Sequence, residues 1–423
     1  STAASWASTT RREARGDAGA AGRPDKIKGM LPPSFGLALL LTTLVALGPL
    51  STDLYLPALP GMTVTFATDV ARVQLTLSVF LIGYAVAQLF YGPVSDRYGR
   101  RPAMLFGLVL YLLSSVACML APSVDALIAS RFFQALGACA GPVLGRAIVR
   151  DVYGPVQAAR VLAYISGAMA IAPMIGPFIG GWLTVWFGWR ANFAALALFS
   201  AVQTVVVFRL LGESNAHKDP AATRPRRILG NFRMLLAGKT YLGYLLCVSF
   251  GYAALFSFIS GSSFVLVGLY GLSPQWFGAS FGFVVTGYIV GTLLTARYTL
   301  KLGPGRMVGM GALFGVVPGT LMAALAIAEV SSVWAVLLPM FGCTMATGLV
   351  MPNATGAALA PYPKMAGSAS ALMGFVQMAL AAAVGIAVGH AYDGTAIPMT
   401  GAIALCGWAV LASYFFFVRP AAG

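Results

Sequence analysis

The chain has 423 residues, of which 59% are hydrophobic and only 9% are charged, whereas about 25% of the residues in a typical soluble domain are charged. A water-soluble fold could not cover so much apolar surface with so few charges, which excludes a soluble globular enzyme and a disordered protein. The formal net charge of +15 could suggest a nucleic-acid binder, but the positions of the charges indicate membrane orientation instead.

Long uncharged stretches predict the membrane-spanning helices, since a helix that crosses a bilayer needs roughly 20 mostly apolar residues. Residues 240–296 are long enough for two spans, and a further span at residues 125–146 carries Arg131 in its interior. The sequence therefore predicts an all-α membrane protein with twelve transmembrane helices, because continuous apolar runs do not fit a transmembrane β-barrel. The other predicted spans lie in residues 29–52, 73–95, 102–124, 161–189, 191–208, 307–328, 330–363, 365–392 and 394–418.

The basic residues lie almost entirely on one side of this predicted topology. Of the 27 Lys and Arg residues, all except Arg72, Arg131 and Arg190 fall in the N-terminal segment, in every second loop or after the last span. An excess of Lys and Arg marks the cytoplasmic side, so both termini are expected in the cytoplasm. Residues 1–30 are predicted to form a disordered basic tail, and we expect no cleavable signal peptide because the first apolar segment is long.

The longest polar stretch inside the chain divides the spans six and six. We therefore predict an N-terminal six-helix half at residues 31–212, a cytoplasmic linker at residues 213–238 and a C-terminal six-helix half at residues 239–419. The five Cys residues lie in apolar stretches without paired spacing, so they are interpreted as core residues. The sequence has no nucleotide-binding loop and no Cys/His cluster. We accordingly expect no cofactor, no metal ion, no use of ATP and no enzymatic activity.

A first motif follows the second predicted span and reads GPVSDRYGRR at residues 92–101. Glycine permits the tight turns of such a loop. The carboxylate of Asp96 can meet a helix N-terminus or an arginine of a neighbouring helix, and such a contact could lock one conformation and release it in another. The alternative is an ordinary basic loop. The candidate gating residues are Gly92, Asp96, Arg97, Gly99, Arg100 and Arg101.

A second motif places Arg131 inside the fourth predicted span, followed by Gln134 and Gly137. An arginine in hydrocarbon costs about 2.5–3.5 kcal/mol on insertion scales, so it should have a partner or line a wet cavity. The alternative is an arginine that reaches back to the outer interface, because Asp125 lies only six residues earlier.

A third motif in the fifth predicted span consists of Gly167, Gly176, Pro177, Gly180 and Gly181. Glycines on one helix face permit the close approach of a neighbouring helix. Pro177 removes a backbone hydrogen bond and favours a bend. Generic transmembrane packing is the alternative, because 49 glycines in the chain give a high background.

These three motifs resemble the signature loop, the proton-coupling motif and the antiporter motif of the major facilitator superfamily. In the second motif the glycine follows Arg131 at the sixth position instead of the fourth. Further segments, at residues 51–60 (STDLYLPALP), 257–260 (SFIS) and 365–372 (MAGSASAL), are similar to the Bcr/CflA family of bacterial drug resistance transporters. The resemblance covers about residues 35–417.

The resemblance implies the major facilitator fold and proton-coupled efflux of small amphipathic drugs across the bacterial inner membrane by rocker-switch alternating access. Its implied partners are small-molecule drugs, protons and the lipid bilayer, and a monomer is usual for the fold. A symporter or facilitator that imports a small nutrient is an alternative, although in the superfamily the third motif marks exporters. A non-transporting membrane sensor is a second alternative, but the linker is too short for a soluble sensor module.

Proton coupling needs a group that changes its charge within the membrane. Of the 12 Asp and Glu residues, only Asp53 is expected inside a span and facing a central cavity. Competition among a proton, a drug and a nearby Arg131 would then give obligatory exchange. Asp53 could instead be an interfacial residue at a helix end, and Asp125 is the second candidate for the proton site.

The substrate site is expected between the two halves near the middle of the membrane. Aromatic faces with a few polar atoms suit mixed amphipathic drugs, although aromatic residues at helical spacing are more often core or lipid-facing. The candidate substrate-binding residues are Tyr55, Phe80, Tyr84, Gln88, Gln134, Tyr252, Phe256, Phe258 and Tyr288.

Overall fold

The computed structural model describes residues 35–153, 155–215, 218–220 and 222–419, and these residues form helices joined by short turns, with no β-strand among them. The predicted disordered tail, residues 1–30, lies outside the described residues. We number the long apolar helices α1 to α12 in chain order. Eleven of the described helices are long and apolar enough to cross a membrane, and α5, Pro155–Phe187, contains the shorter apolar stretch Ile171–Phe187. These helices agree with the twelve predicted spans.

The bounds of the other helices follow from the chain order. They are α1 (Gly36–Thr65), α2 (Val70–Tyr98), α3 (Arg100–Leu120), α4 (Val124–Val152), α6 (Arg190–Leu210), α7 (Lys239–Leu269), α8 (Pro274–Leu302), α9 (Pro304–Ile327), α10 (Val333–Leu359), α11 (Ala366–His390) and α12 (Ile397–Val418).

Two of the helices are interrupted where proline removes a backbone donor. The regular part of α1 ends at Asp53, and a short 3-10 turn at Leu56–Ala58 separates it from the remainder of the helix. Helix α4 breaks at Cys139, because Pro142 cannot donate a hydrogen bond to the carbonyl of Ala138. Both breaks lie in the first half of the chain and leave backbone groups free to adjust next to the protein interior.

The linker between the two groups of six helices contains a helix of its own. Helix α6 ends at Leu210 and α7 begins at Lys239, so the predicted linker, residues 213–238, lies between them. Residues Pro225–Ala237 form a 13-residue helix within it, which we call the linker helix.

Glycine sets how closely the helices approach within each half. A side chain at Gly141 of α4 would overlap the carbonyl of Leu44 in α1, and one at Gly291 of α8 would overlap the carbonyl of Met345 in α10. Backbone-to-backbone contact of this kind needs a residue without a Cβ atom. The abundance of glycine in the sequence therefore reflects helix packing as well as turns.

The two halves meet mainly where α2 packs on α11 and where α5 packs on α8. We call the end of the bundle at the turn from α2 to α3, residues 98–100, the basic end, and the other end the opposite end. At the opposite end, Gln74 Nε2 donates a hydrogen bond to the carbonyl of Ser260 at 2.9 Å, and Ser263 Oγ donates to the carbonyl of Leu56 at 2.5 Å. The opposite end is thus closed by contacts between the halves.

At the basic end, the two halves enclose a cavity of about 350 Å³ that receives residues from α2, α4, the linker helix and the start of α11. Arg146 and Arg150 of α4 line it, and no described residue forms an ion pair with either. The molecule is therefore closed at the opposite end and hollow between its halves at the basic end.

Candidate functional site

A second cavity of about 370 Å³ lies at the centre of the bundle, between the two halves. Five of the residues predicted from the sequence line it: Asp53 of α1, Phe80 and Tyr84 of α2, Tyr252 of α7 and Tyr288 of α8. The wall is therefore mainly aromatic and aliphatic, with one carboxyl group and a few hydroxyl groups. Such a lining can accept an amphipathic small molecule and orient it through a small number of polar contacts.

Sequence reasoning missed several residues of this wall. Thr52, Thr344, Met351 and Gln377 also line the cavity. Gln377 is an isolated amide in the long uncharged stretch that forms α11, and an amide in that setting is a signal that could have identified it. The positions of the aliphatic residues carry no comparable signal, because the same residue types cover the lipid-facing surface.

Asp53 is the only buried acid among the described residues, with 2% of its surface exposed. The hydroxyl of Thr52 donates a hydrogen bond to its Oδ1 at 3.0 Å. No lysine or arginine in the described part of the chain forms an ion pair with it. A carboxyl group placed in this way, at the end of the regular part of α1 and on the cavity wall, can take up either a proton or a cationic group of a ligand.

Arg131 is completely buried and lies in a cage made of aromatic and polar groups. Its guanidinium carbon is 4.3 Å from the ring centre of Phe80 and 4.6 Å from that of Tyr55. Its Nη1 donates to Gln134 Oε1 at 2.5 Å, and Gln134 in turn donates to Ser115 Oγ at 2.8 Å. Cation–π contact and a neutral hydrogen-bond acceptor thus take the place of a carboxylate partner.

The structure does not bring Arg131 into an ion pair with either predicted proton-coupling acid. Asp125 is exposed and pairs with Arg72, next to the start of α4 at the opposite end. Phe80 lines the central cavity with Asp53 and also contacts the guanidinium of Arg131, so its ring connects the two sites. The expected competition at Asp53 therefore has no direct contact with Arg131 in this conformation.

The remaining predicted substrate-binding residues lie elsewhere. Tyr55 and Gln134 belong to the cage around Arg131, and Gln88 lines the basic-end cavity. Phe256 and Phe258 are buried in the helix packing of the second half. Helix rotation decides these outcomes, since each residue is on the inner part of the bundle but does not face the central cavity.

Replacing Arg131 with Met tests whether the caged cation serves stability or function. A buried cation without a carboxylate partner is costly, and an apolar side chain of similar volume is often neutral or stabilising at such a site. We expect Arg131→Met to retain the thermal stability of the wild type, measured by intrinsic fluorescence in detergent, and to lose transport. A large fall in stability would show instead that the aromatic and amide contacts outweigh the cost of burial.

The predicted gating loop forms a charge network on the first half of the molecule. Arg100 Nη1 donates to Asp96 Oδ1 at 2.5 Å and Arg100 Nε donates to Asp151 Oδ2 at 3.1 Å. Asp96 therefore meets an arginine of the adjoining helix, one of the two partner types expected for it. Because Asp151 lies in α4, this network joins α2, α3 and α4 at the basic end.

Glu213 completes this network and was not identified from the sequence. Its carboxylate accepts hydrogen bonds from the backbone N–H groups of Arg100 at 2.8 Å and Arg101 at 3.2 Å, which are free donors at the start of α3. Gly99 has a φ of +114°, and a side chain there would overlap the Glu213 carboxylate. The loop thus needs glycine at this position both for its backbone conformation and for the cap.

The other gating candidates have simpler surroundings. Arg97 donates to Thr223 Oγ1 at 2.8 Å and Arg101 donates to the carbonyl of Phe208 at 2.8 Å. Gly92 lines the basic-end cavity, and a side chain there would meet no atom within 4 Å.

The glycines of the predicted antiporter motif bring α5 against α1 directly below the proposed proton site. A Cβ atom on Gly176 would lie 3.1 Å from the Cβ atom of Asp53, and one on Gly180 would overlap the carbonyl of Leu54. The backbone of α5 is therefore part of the packing that holds Asp53 on the cavity wall.

The same motif also touches the second half of the molecule. A side chain at Gly181 would overlap the carbonyl of Pro274, and one at Gly278 of α8 would lie 2.8 Å from the carbonyl of Pro177. A side chain at Gly167, in contrast, would meet no atom within 4 Å. Only part of the motif is thus tightly packed in this conformation.

The described residues contain no group of His, Cys, Asp and Glu side chains that could hold a metal ion. Twelve apolar helices in two halves around a central cavity define a multi-pass membrane transporter. The chain belongs to the Major Facilitator Superfamily, whose sequence profile matches residues 41–386. Members of this family are transporters, not enzymes.

Among its relatives, the chain is 30% identical over 395 residues to a bicyclomycin resistance protein homolog of Haemophilus influenzae, which covers 90% of this chain and 96% of that protein. It is 29% identical over 341 residues to multidrug resistance protein D of Escherichia coli, with 81% and 85% covered. It is also 30% identical over 345 residues to a chloramphenicol resistance protein of Pseudomonas aeruginosa, with 79% of each chain covered.

Solved structures of transporters share the fold at low sequence identity. A crystal structure of a peptide transporter in complex with sulfate matches with a TM-score of 0.75 and 14% identity, covering 95% of this chain and 98% of that one. A D-xylose–proton symporter matches with a TM-score of 0.72 and 16% identity, covering 91% and 98%. At these identities the likeness concerns the fold alone.

Proposed function

We propose that this protein exports small amphipathic drugs across the bacterial inner membrane in exchange for protons, and that it is a Bcr/CflA-type antiporter. The observation that carries the proposal is the single buried acid, Asp53, on the wall of a mainly apolar central cavity. An ionisable residue inside a membrane protein is a functional site by default, because burial is costly unless the group has a task. The names of the relatives, which are resistance proteins, support drugs as the substrates.

The orientation follows from the basic residues. Placing the basic end in the cytoplasm satisfies the positive-inside rule and puts both termini on that side. The conformation described above then faces the cytoplasm, since its opposite end is closed and its basic end is hollow. Drug enters from the cytoplasm or the inner leaflet and binds at Tyr84, Tyr252 and Tyr288.

The proposed cycle is rocker-switch exchange about the central cavity. Drug binding in the cytoplasm-facing state favours release of the proton from Asp53. The halves then separate at the opposite end and close at the basic end, which moves the drug to the other side of the membrane. Protonation of Asp53 from outside displaces the drug and returns the transporter. Arg131 acts on this exchange through Phe80, whose ring contacts both the cavity and the guanidinium.

Transport into inside-out proteoliposomes tests the direction and the coupling. With the lumen acidic, we expect a fluorescent cationic dye or a chloramphenicol-like compound to accumulate in the lumen, and an ionophore that collapses the pH gradient to abolish accumulation. Asp125→Asn serves as the matched control, because Asp125 is an exposed acid at the opposite end and its loss should leave transport intact. Uptake of a nutrient in the same direction as the protons would favour the symporter alternative and contradict the proposal.

A further inference from the structure

The linker helix presents one face to the protein and leaves the other without a protein partner among the described residues. Leu235 is fully buried, and Asn231 Nδ2 donates to Ser368 Oγ of α11 at 3.2 Å. Phe232 lines the basic-end cavity beside Asn231. The inner face is therefore occupied, and only the outer face is free to contact something else.

The outer face combines exposed apolar side chains with unpaired arginines. Leu229, Met234 and Leu236 are 70%, 58% and 44% exposed. Arg226 and Arg233 are also exposed, and neither forms an ion pair with any described residue. Water alone would leave the three apolar side chains hydrated at a cost in free energy, so this face is suited to a partner that is both apolar and anionic.

The position of the linker helix identifies that partner. The helix ends at Ala237, and α7, which is long and apolar enough to cross a membrane, begins at Lys239. The linker helix therefore lies where the hydrocarbon of the bilayer gives way to the lipid headgroups. Residues 220–239 contain no Asp or Glu, so no acid of this segment repels anionic headgroups.

We propose that the outer face of the linker helix, formed by Arg226, Leu229, Arg233, Met234 and Leu236, is a binding surface for anionic phospholipid headgroups. The leucine and methionine side chains insert at the boundary between headgroups and acyl chains, and the two guanidinium groups bind headgroup phosphates, as in interfacial amphipathic helices. This surface is distinct from the drug cavity, and the proposal holds whether the protein exports or imports its substrate.

Lipid binding to a matched pair of variants tests the role of the arginines. In nanodiscs or detergent with phosphatidylglycerol, native mass spectrometry measures the affinity of the wild type, of Arg226→Gln/Arg233→Gln and of Lys301→Gln/Arg306→Gln. The second pair removes the same charge from exposed residues at the same end of the molecule. An arginine near an anionic surface contributes roughly a fivefold factor in affinity, so we expect roughly 25-fold weaker binding for the linker variant at the tightest site. Equal effects of the two pairs would overturn the proposal.

Spin-label depth tests the position of the apolar face separately from the charges. All five native Cys residues are buried, so a nitroxide can be attached selectively to Leu229→Cys, with Ser331→Cys as a water-exposed reference at the opposite end. In nanodiscs that contain phosphatidylglycerol, the label at residue 229 should be more accessible to oxygen than to a water-soluble nickel complex. In phosphatidylcholine it should move toward the aqueous values. A fully aqueous label at residue 229 in both membranes would leave this face to a protein partner and refute lipid binding.

Discussion

Asp53→Asn is expected to abolish drug-dependent proton release while leaving the fold and drug binding intact. The asparagine oxygen can still accept the hydrogen bond from Thr52, and a neutral side chain removes any cost of a buried charge at this site. The exchange itself cannot occur, because no other acid among the described residues is buried in the protein. We expect transport driven by a pH gradient to fall at least tenfold, since tenfold corresponds to only about 1.4 kcal/mol of lost coupling.

The measurement is acidification of an unbuffered detergent solution when drug is added to the purified protein. The wild type and Asp53→Asn are compared with Asp125→Asn, and ligand binding is measured in parallel by fluorescence quenching. Acidification that survives in Asp53→Asn would move the proton site away from Asp53. Binding without proton release in the wild type would refute proton–drug competition and bring the importer alternative forward.

Alanine in the third motif is expected to have effects that differ sharply between neighbouring positions. Gly180→Ala places a Cβ atom on the carbonyl of Leu54, and a backbone atom cannot rotate away as a flexible side chain can. Overpacking of this kind typically costs about 1–3 kcal/mol. Gly167→Ala meets no atom within 4 Å, and alanine is the better helix former by about 1 kcal/mol. We therefore expect Gly180→Ala to lose stability and Gly167→Ala to retain or gain it.

Gly181→Ala should act on conformation, because its neighbour Pro274 belongs to the other half of the molecule. The added methyl group disfavours closure of the opposite end, so the distance between spin labels at Val64→Cys and Ser331→Cys should lengthen in part of the population. Both sites are exposed at that end, one on each half. Thermal unfolding of all three alanine variants separates loss of stability from a shift in conformation. Equal melting behaviour of Gly167→Ala and Gly180→Ala would show that α5 and α1 do not pack as the structure describes.

The sequence predicted Asp53 correctly as a residue on the cavity wall, and it did so by elimination. Every other acid could be assigned to a loop or a helix end from the charge pattern, and the structure finds each of those in the described residues incompletely buried. The proton-coupling role itself stays a prediction. The partner of Arg131 could not be predicted in the same way, because its cage draws on Phe80, Tyr55 and Gln134 from helices that the sequence does not orient relative to one another.

The number of helices was determined by the sequence alone, as was their even division around the linker. Both depend on the length and charge of segments, which are local properties of the chain that the bilayer reads directly. Tertiary structure alone decided which side of each helix faces the central cavity, that Glu213 caps α3 and that the linker helix has a free outer face. Those outcomes depend on helix rotation and on contacts between residues far apart in sequence, and the nearly uniform apolar composition of the spans gives no local signal for either.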